Sequence, residues 1–339
     1  MSTGGIIMDN KTFRALVVEE SGKNLFIRNV KERTLGSLPA GEITVRVRYS
    51  SLNYKDALSA AGNRGITGKY PHTPGIDAAG TVEESLVGGF KPGDEVIVTS
   101  YDLGMNTSGG FGEYIRVPSG WVVKLPPGLT LKESMILGTA GFTAGMSVAR
   151  LTAGVKPEQG TVVVTGATGG VGSLAVGILS GLGYSVTAVS GKPDASEMLK
   201  KLGASEILER KEFLGNSSRP ILKVRWAGAI DTVGGEILAT LIKSTGPLGV
   251  VTCCGNVASP ELPINVFPFI LRGVSLIGID SQNCPMNLRR DIWAKLADAW
   301  KPGMLEAFYD EVSLEELDGK IEAILKGQIK GRTLVNLDK

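Results

Sequence analysis

Two hydrophobic periodicities divide the chain. In "EITVRVRY" the residues Ile43, Val45, Val47 and Tyr49 alternate with Thr44, Arg46 and Arg48, the period of a strand with one packed and one wet face. "FRALVVEE", "LFIRNV", "AAGTVEE", "DEVIVTS" and "FGEYIRVP" repeat the theme, and "KPGD" is a turn in which proline fixes φ and glycine relaxes it. The first third is therefore expected to be a twisted, partly closed β structure. After "LPPGLT" short apolar runs take over: "TVVVT", "YSVTAVS", "GAIDTV", "GVVTCC" and "VSLIGID". Between them lie helical stretches to about Leu182, then "PDASEMLKKLG" with Asp194 and Glu197 in capping-box spacing, "EILATLIKS" and "FPFILRG". Strands without a polar face, joined by helices, predict a parallel sheet covered on both sides. The expected class is α/β, with a doubly wound parallel sheet over residues 136–302 beside a β-rich domain. The tail, with one more helix and a terminal strand, is expected to return to that first domain.

No charged residue lies between Glu158 and Lys192, a run long enough to raise the question of a membrane span. Nine glycines between residues 160 and 191 cut it into strand, turn, helix, turn and strand, which argues against a membrane helix. The remaining composition narrows the picture by exclusion. The 339 residues suit two domains, and 36 basic against 34 acidic side chains, without long like-charge blocks, advertise neither nucleic acid nor an anionic membrane. Cys253, Cys254 and Cys284 lack paired CxxC spacing, which fits a reducing cytoplasm. The opening "MSTGGIIMDNKTF" has no secretory pattern and is expected to be a loose extension. His72 is the single histidine, so catalytic or metal sites that need two histidines are excluded and no zinc is expected.

"VVVTGATGGVG" places Ala167, Gly169 and Gly172 at dinucleotide-fingerprint spacing, with alanine in the first glycine position. It follows a β-branched strand and opens an apolar helix, the context in which glycines let backbone approach a pyrophosphate and free helix N–H groups favour the anion. An NAD site calls for an acid at the end of the next strand, to accept from the ribose 2′-hydroxyl. Ser190 stands there, 18 positions after Gly172, with Lys192 two residues on. A hydroxyl donor and a cation suit a 2′-phosphate, so NADPH is the expected cofactor; a solvated loop lysine is the plainer alternative.

"SSLNYKDAL", "PGIDAAGTV", "LGTAGFTAG", "VTGATGGVG", "AVSGK", "WAGAIDTVGG", "FPFILRGVSLIGIDS" and "QIKGRTLV" together resemble the zinc-free quinone-oxidoreductase branch of the medium-chain dehydrogenases/reductases. Within it the combination is most similar to the NADPH-dependent acrylyl-CoA reductases. The resemblance implies a Rossmann NADPH-binding domain over 136–302 and a GroES-like catalytic domain over 1–135 and 303–339. Asn53 and Ile76 stand where zinc-dependent relatives carry a cysteine and a histidine. The implied reaction is reduction of the conjugated double bond of acryloyl-CoA; quinone reduction, or binding of NADPH by a regulator without turnover, are the alternatives.

The resemblance implies Tyr54 as the group beside nicotinamide and substrate, with a packed aromatic as its plainer reading, and Asn53, Lys55 and Asp56 as shapers of the same loop. It places Thr168, Gly169, Gly170 and Val171 at the pyrophosphate, and Ser190, Gly191, Lys192 and Arg210 at the 2′-phosphate. Lys192 stands where arginine is expected, which replaces a bidentate contact by a point charge. Thr232, Leu276 and Arg332 lie in segments implied to face the cofactor, with packing or solvation as the alternative. A homodimer is implied through the edge strand "VSLIGIDS".

Overall fold

A computed structural model describes residues 10–215, 218–303, 305 and 308–339; residues 1–9 of the expected extension lie outside the described residues. Strands β1 (Thr12–Gly22), β2 (Leu25–Thr34), β3 (Ile43–Leu52), β4 (Asp77–Ser85), β5 (Glu95–Thr99), β6 (Tyr114–Val117) and β7 (Val122–Lys124) come first. Next are β8 (Val162–Thr165), β9 (Val186–Ser190), β10 (Glu206–Glu209), β11 (Trp226–Asp231), β12 (Thr245–Cys253) and β13 (Ser275–Gly278). β14 (Tyr309–Val312) and β15 (Arg332–Asn336) close the chain. The helices are α1 (Tyr54–Ala60), α2 (Leu131–Gly154), α3 (Gly170–Gly181), α4 (Ser196–Lys201), α5 (Arg210–Leu214), α6 (Gly235–Ser244), α7 (Phe267–Arg272), α8 (Met286–Leu296) and α9 (Leu317–Leu325).

The chain forms two compact units. The first takes the described residues up to Thr139, Gln282–Asp291 and Tyr309–Lys339; the second takes Ala140–Ser281 and Ile292–Phe308. Gln282–Asp291, expected within the second domain, groups with the first unit because Arg289 is bound there to the carbonyl and hydroxyl oxygens of Thr99, both at 3.0 Å.

In the first unit β1 and β2 form an antiparallel pair. The other strands run β14-β15-β3-β4-β5-β7, with β6 on β3. Alternation along β3 puts Ile43, Val45 and Val47 into a core with Val82, Val96, Val98 and Ile115 and leaves Arg46 exposed, but Thr44, expected on the wet face, is buried, because β3 is covered on that side by its neighbours. β14 has no counterpart in the sequence reading: four residues, Tyr-Asp-Glu-Val, alternate weakly and are strand only because β15 pairs with them in parallel.

The second unit carries one parallel sheet in the order β10-β9-β8-β11-β12-β13. Relative to β8 as first strand this is 3-2-1-4-5-6, the doubly wound dinucleotide-binding order. β8 is buried along its whole length, as a central parallel strand requires. β10, "EILE", escapes the sequence pattern because it is a four-residue edge strand with charged ends, held by β9 on one side. The capping box expected from Asp194 and Glu197 does not form. Pro193–Ala195 makes a 3₁₀ turn, Ser196 Oγ donates to the Pro193 carbonyl at 3.0 Å, and α4 starts only at Ser196. Proline's locked φ favours that turn over an extended N-cap. Among the described residues no helix is long and apolar enough to cross a membrane.

Candidate functional site

The switch in strand order between β8 and β11 leaves a crevice at their carboxyl ends, where ligands of doubly wound sheets bind. Gly166, with φ +59°, turns the chain out of β8; a side chain there would meet Thr232 Oγ1 at 2.2 Å. Gly172 lets α3 close on the same turn, since a Cβ would lie 2.4 Å from the Gly166 carbonyl oxygen. Gly169 is the N-cap, so the first amides of α3, at Gly170 and Val171, form an anion-favouring helix end. Thr168, just before the N-cap, is buried.

Buried Asp231 holds the opposite lip: it accepts from Thr165 Oγ1 at 2.7 Å, from the Val233 amide at 3.2 Å and from the Gly234 amide at 2.8 Å. Burial pushes its carboxyl above the usual range, an effect the three donors oppose. Thr232 Oγ1 donates to the Thr165 carbonyl at 2.9 Å, which pins it beside Gly166. The fold thus gathers Thr168, Gly169, Gly170, Val171 and Thr232. Leu276 is not among them; it pairs with Val251 on β13, two strands beyond β11, and packs on the apolar core of the sheet.

At the tip of β9, Ser190 Oγ accepts from the Lys192 amide at 2.9 Å, which closes a tight turn over Gly191. A side chain at position 191 would meet the Arg210 guanidinium at 3.0 Å, so glycine there lets the arginine lie over the turn. Pairing of β10 with β9 sets Glu209 beside Ser190 and brings Arg210, the first residue of α5, to the same end. Ser190, Lys192, Ser196, Lys200, Glu206 and Glu209 line part of an adjoining cleft of about 410 Å³. Ser190, Gly191, Lys192 and Arg210 therefore meet at one edge of the second unit.

The first unit carries a second constellation. Tyr54 opens α1 and is 43% exposed. The preceding Asn53 is its N-cap, and the Asp56 carboxylate reaches back to the Asn53 amide at 2.8 Å while also accepting from the Ile76 amide at 2.8 Å. Asp56 thus ties the loop backbone to the strand entrance, and Lys55 Nζ donates to Gln282 Oε1 at 2.6 Å. Asp77 accepts from Ser51 Oγ at 2.6 Å, Asn53 Nδ2 at 2.8 Å, Thr139 Oγ1 at 2.6 Å and the Thr139 amide at 3.0 Å.

Arg332 completes the cluster from β15. Its guanidinium donates to Ser51 Oγ at 2.8 Å, the Ile136 carbonyl at 3.0 Å, Asn53 Oδ1 at 3.3 Å and the Leu52 carbonyl at 3.4 Å, and lies 3.9 Å from Asp77. At 3% exposure Arg332 is committed to this network rather than to an open surface, which differs from the position implied for it. Burial lowers its pKa, opposed by Asp77 and Asp56. Asp77, Ser51 and Thr139 were not singled out in the sequence: their types are common, and they meet only through strand pairing and the bend of α2. At that bend Gly138 has φ +53°, and a Cβ would lie 2.5 Å from Asp77 Oδ2 and Ser51 Oγ.

Zinc does not fit this cluster. Among the described residues no three histidine, cysteine, aspartate or glutamate side chains converge to hold a metal. His72 is buried with its Nε2 2.9 Å from the Gly104 carbonyl oxygen, and Asn53 turns its amide toward Asp77 and Arg332.

Comparison with known proteins agrees with both halves. Residues 39–127 match the alcohol dehydrogenase GroES-like domain, and residues 170–299 match the zinc-binding dehydrogenase domain. A Bacillus subtilis protein with a provisional quinone-oxidoreductase name is 46% identical over 96% of this chain and 99% of its own. An acrylyl-CoA reductase of Ruegeria pomeroyi is 44% identical over 96% of this chain and 99% of its own. An oxidoreductase from Salmonella enterica, solved in complex with NADP, is 44% identical and superposes with a TM-score of 0.93 over 96% of this chain and 99% of its own. The Bacillus subtilis protein, solved with NAD bound, superposes with a TM-score of 0.94 over 97% of this chain and 100% of its own.

Burial, reinforced by the nearby Asp77 charge, raises the Asp56 carboxyl to about 7, against about 3.9 in an unfolded chain. Between those values the folded state holds a proton that the unfolded state has lost, so stability falls as pH rises through this window. The expected loss is of order 1–4 kcal/mol between pH 4 and pH 8. Thermal or urea unfolding should show this slope in the wild type and not in Asp56→Asn; equal slopes would contradict the assignment.

Proposed function

This chain belongs to the medium-chain dehydrogenase/reductase family, in its quinone-oxidoreductase branch, and within that family of oxidoreductases we propose that it reduces acryloyl-CoA to propionyl-CoA with NADPH. The observation that carries the cofactor is the tip of β9, where Ser190, Lys192 and Arg210 converge and no acid occupies position 190. Glu209 lies alongside, so Lys192 and Arg210 also offset a nearby negative charge when a phosphate binds. The substrate is supported by whole-length similarity to an acrylyl-CoA reductase.

NADPH supplies a hydride to the β-carbon of the alkene, and a proton from solvent or a protein group completes the α-carbon. The amides of Gly170 and Val171 hold the pyrophosphate, Thr168 and Thr232 shape its lips, and Ser190, Gly191, Lys192 and Arg210 hold the 2′-phosphate. Leu276 is assigned a packing role and Arg332 an indirect one, through the cluster that supports α1. Tyr54 orients the thioester carbonyl, whose oxygen gains negative charge as the hydride arrives and needs a donor there. The edge position of β13, with Phe267, Ile270 and Leu271 exposed on the preceding α7, supports a homodimer built on that edge.

Parallel assays of NADPH oxidation with acryloyl-CoA and a simple quinone test the substrate: a higher kcat/KM for acryloyl-CoA is expected, and preference for the quinone would defeat the reading. In the same assay Tyr54→Phe should lower kcat roughly tenfold to a hundredfold with KM for NADPH unchanged; unchanged turnover would return Tyr54 to a packing role. Removing one charged phosphate contact costs about 1.5–3 kcal/mol, so Arg210→Ala should raise KM for NADPH by about tenfold or more and leave NADH unaffected. Equal losses with both cofactors would refute the 2′-phosphate assignment. Sedimentation equilibrium should give twice the chain mass, and Ile270→Asp should give a monomer; a monomeric wild type would rule out the dimer.

A further inference from the structure

The residue before Tyr54 has little freedom left. Asn53 donates from its backbone amide to Asp56 at 2.8 Å, from Nδ2 to Asp77 at 2.8 Å and the Ser51 carbonyl at 3.2 Å, and accepts at Oδ1 from Arg332 at 3.3 Å. These partners belong to α1, β3, β4 and β15, so four chain segments converge on one amide. Asp77 is the acceptor that ties several of these segments together. It is the acceptor for Ser51, Asn53 and Thr139 together, and the donor directions are consistent: Arg332 to Ser51, Ser51 to Asp77, Thr139 to Asp77.

We propose that Asp77 is a positioning residue for the reaction: through Asn53 it fixes the start of α1, and with it the direction in which Tyr54 presents its hydroxyl. Asp77 is fully buried and so acts through another residue rather than on the substrate. The backbone of Asn53, at φ −120° and ψ 160°, sets the direction of the first turn, and Tyr54 is the next residue. A carboxylate is needed because four donors aim at it; an amide of the same shape would turn its own N–H groups against at least one of them. Gly138 serves the same end, since its left-handed conformation brings the Thr139 amide and hydroxyl onto Asp77 where a side chain would block them. The inference rests on the role proposed for Tyr54.

Two measurements test it. In a double-mutant cycle with acryloyl-CoA and NADPH, Asp77→Asn should lower kcat by up to ~10²-fold, the scale of a 1 Å misplacement, with KM for NADPH unchanged. Combined with Tyr54→Phe it should cost little more than Tyr54→Phe alone. Multiplied losses would show a general structural defect and overturn the proposal. The second measurement needs no turnover: 3-fluorotyrosine is placed at position 54, and its ¹⁹F resonance is recorded in the wild type, in Asp77→Asn and in the milder Ser51→Ala. A shifted or broadened signal in either folded variant is expected; an unchanged signal in both overturns the proposal. If Tyr54→Phe leaves turnover intact while the ¹⁹F signal responds to Asp77, the role of Tyr54 fails and the positioning stands.

Discussion

The start of α1 depends on the burial of one carboxylate. Moving Asp77 out of water is costly unless its lone pairs are filled and a positive charge is near. The fold meets that demand with two hydroxyls, a side-chain amide, a backbone amide and the Arg332 guanidinium at 3.9 Å. The donors come from β3, α1's N-cap and α2, so these elements assemble together or leave a buried charge unpaired. Asp56 adds a second buried carboxyl, and its burial, reinforced by the Asp77 charge, raises it to about 7.

The second unit solves a similar problem at its own ligand end. Asp231, fully buried at the end of β11, gathers the Thr165 hydroxyl and the amides of Val233 and Gly234. Its counterpart across the crevice is the absence of side chains: at Gly166 and Gly172 any Cβ would collide with Thr232 or with backbone within 2.4 Å. One lip is held by a satisfied charge and the other by close backbone contact. Between them the first amides of α3 stay open to an anion.

Much of this was legible in the chain. β-branched runs and alternation identified the two kinds of sheet, and glycine spacing located the tight turn from β8 into α3 because a close backbone approach demands glycine at particular offsets. Ser190 and Lys192 were readable for the same reason: the acid expected after the second strand is a local requirement. Arg332 was less legible. Its segment implied a place toward the cofactor, but its partner Ser51 lies 281 residues away in sequence, and no local pattern reports that pairing. β10 and β14 were hidden because an edge strand of four residues owes its conformation to its neighbour more than to its own side chains.

The sequence by itself determined the period of the longer elements, the glycine-dependent turn between β8 and α3, the lack of an acid at position 190 and the lack of a second histidine. These are properties of residue type and spacing, and no folding is needed to state them. Tertiary structure alone decided that Arg210 lies over Gly191, because only the pairing of β10 with β9 carries it there. It also decided that Asn53, Asp56, Asp77, Thr139 and Arg332 form one network. Burying charge is a collective demand, and the chain meets it with groups that only the packed sheet brings within hydrogen-bonding distance.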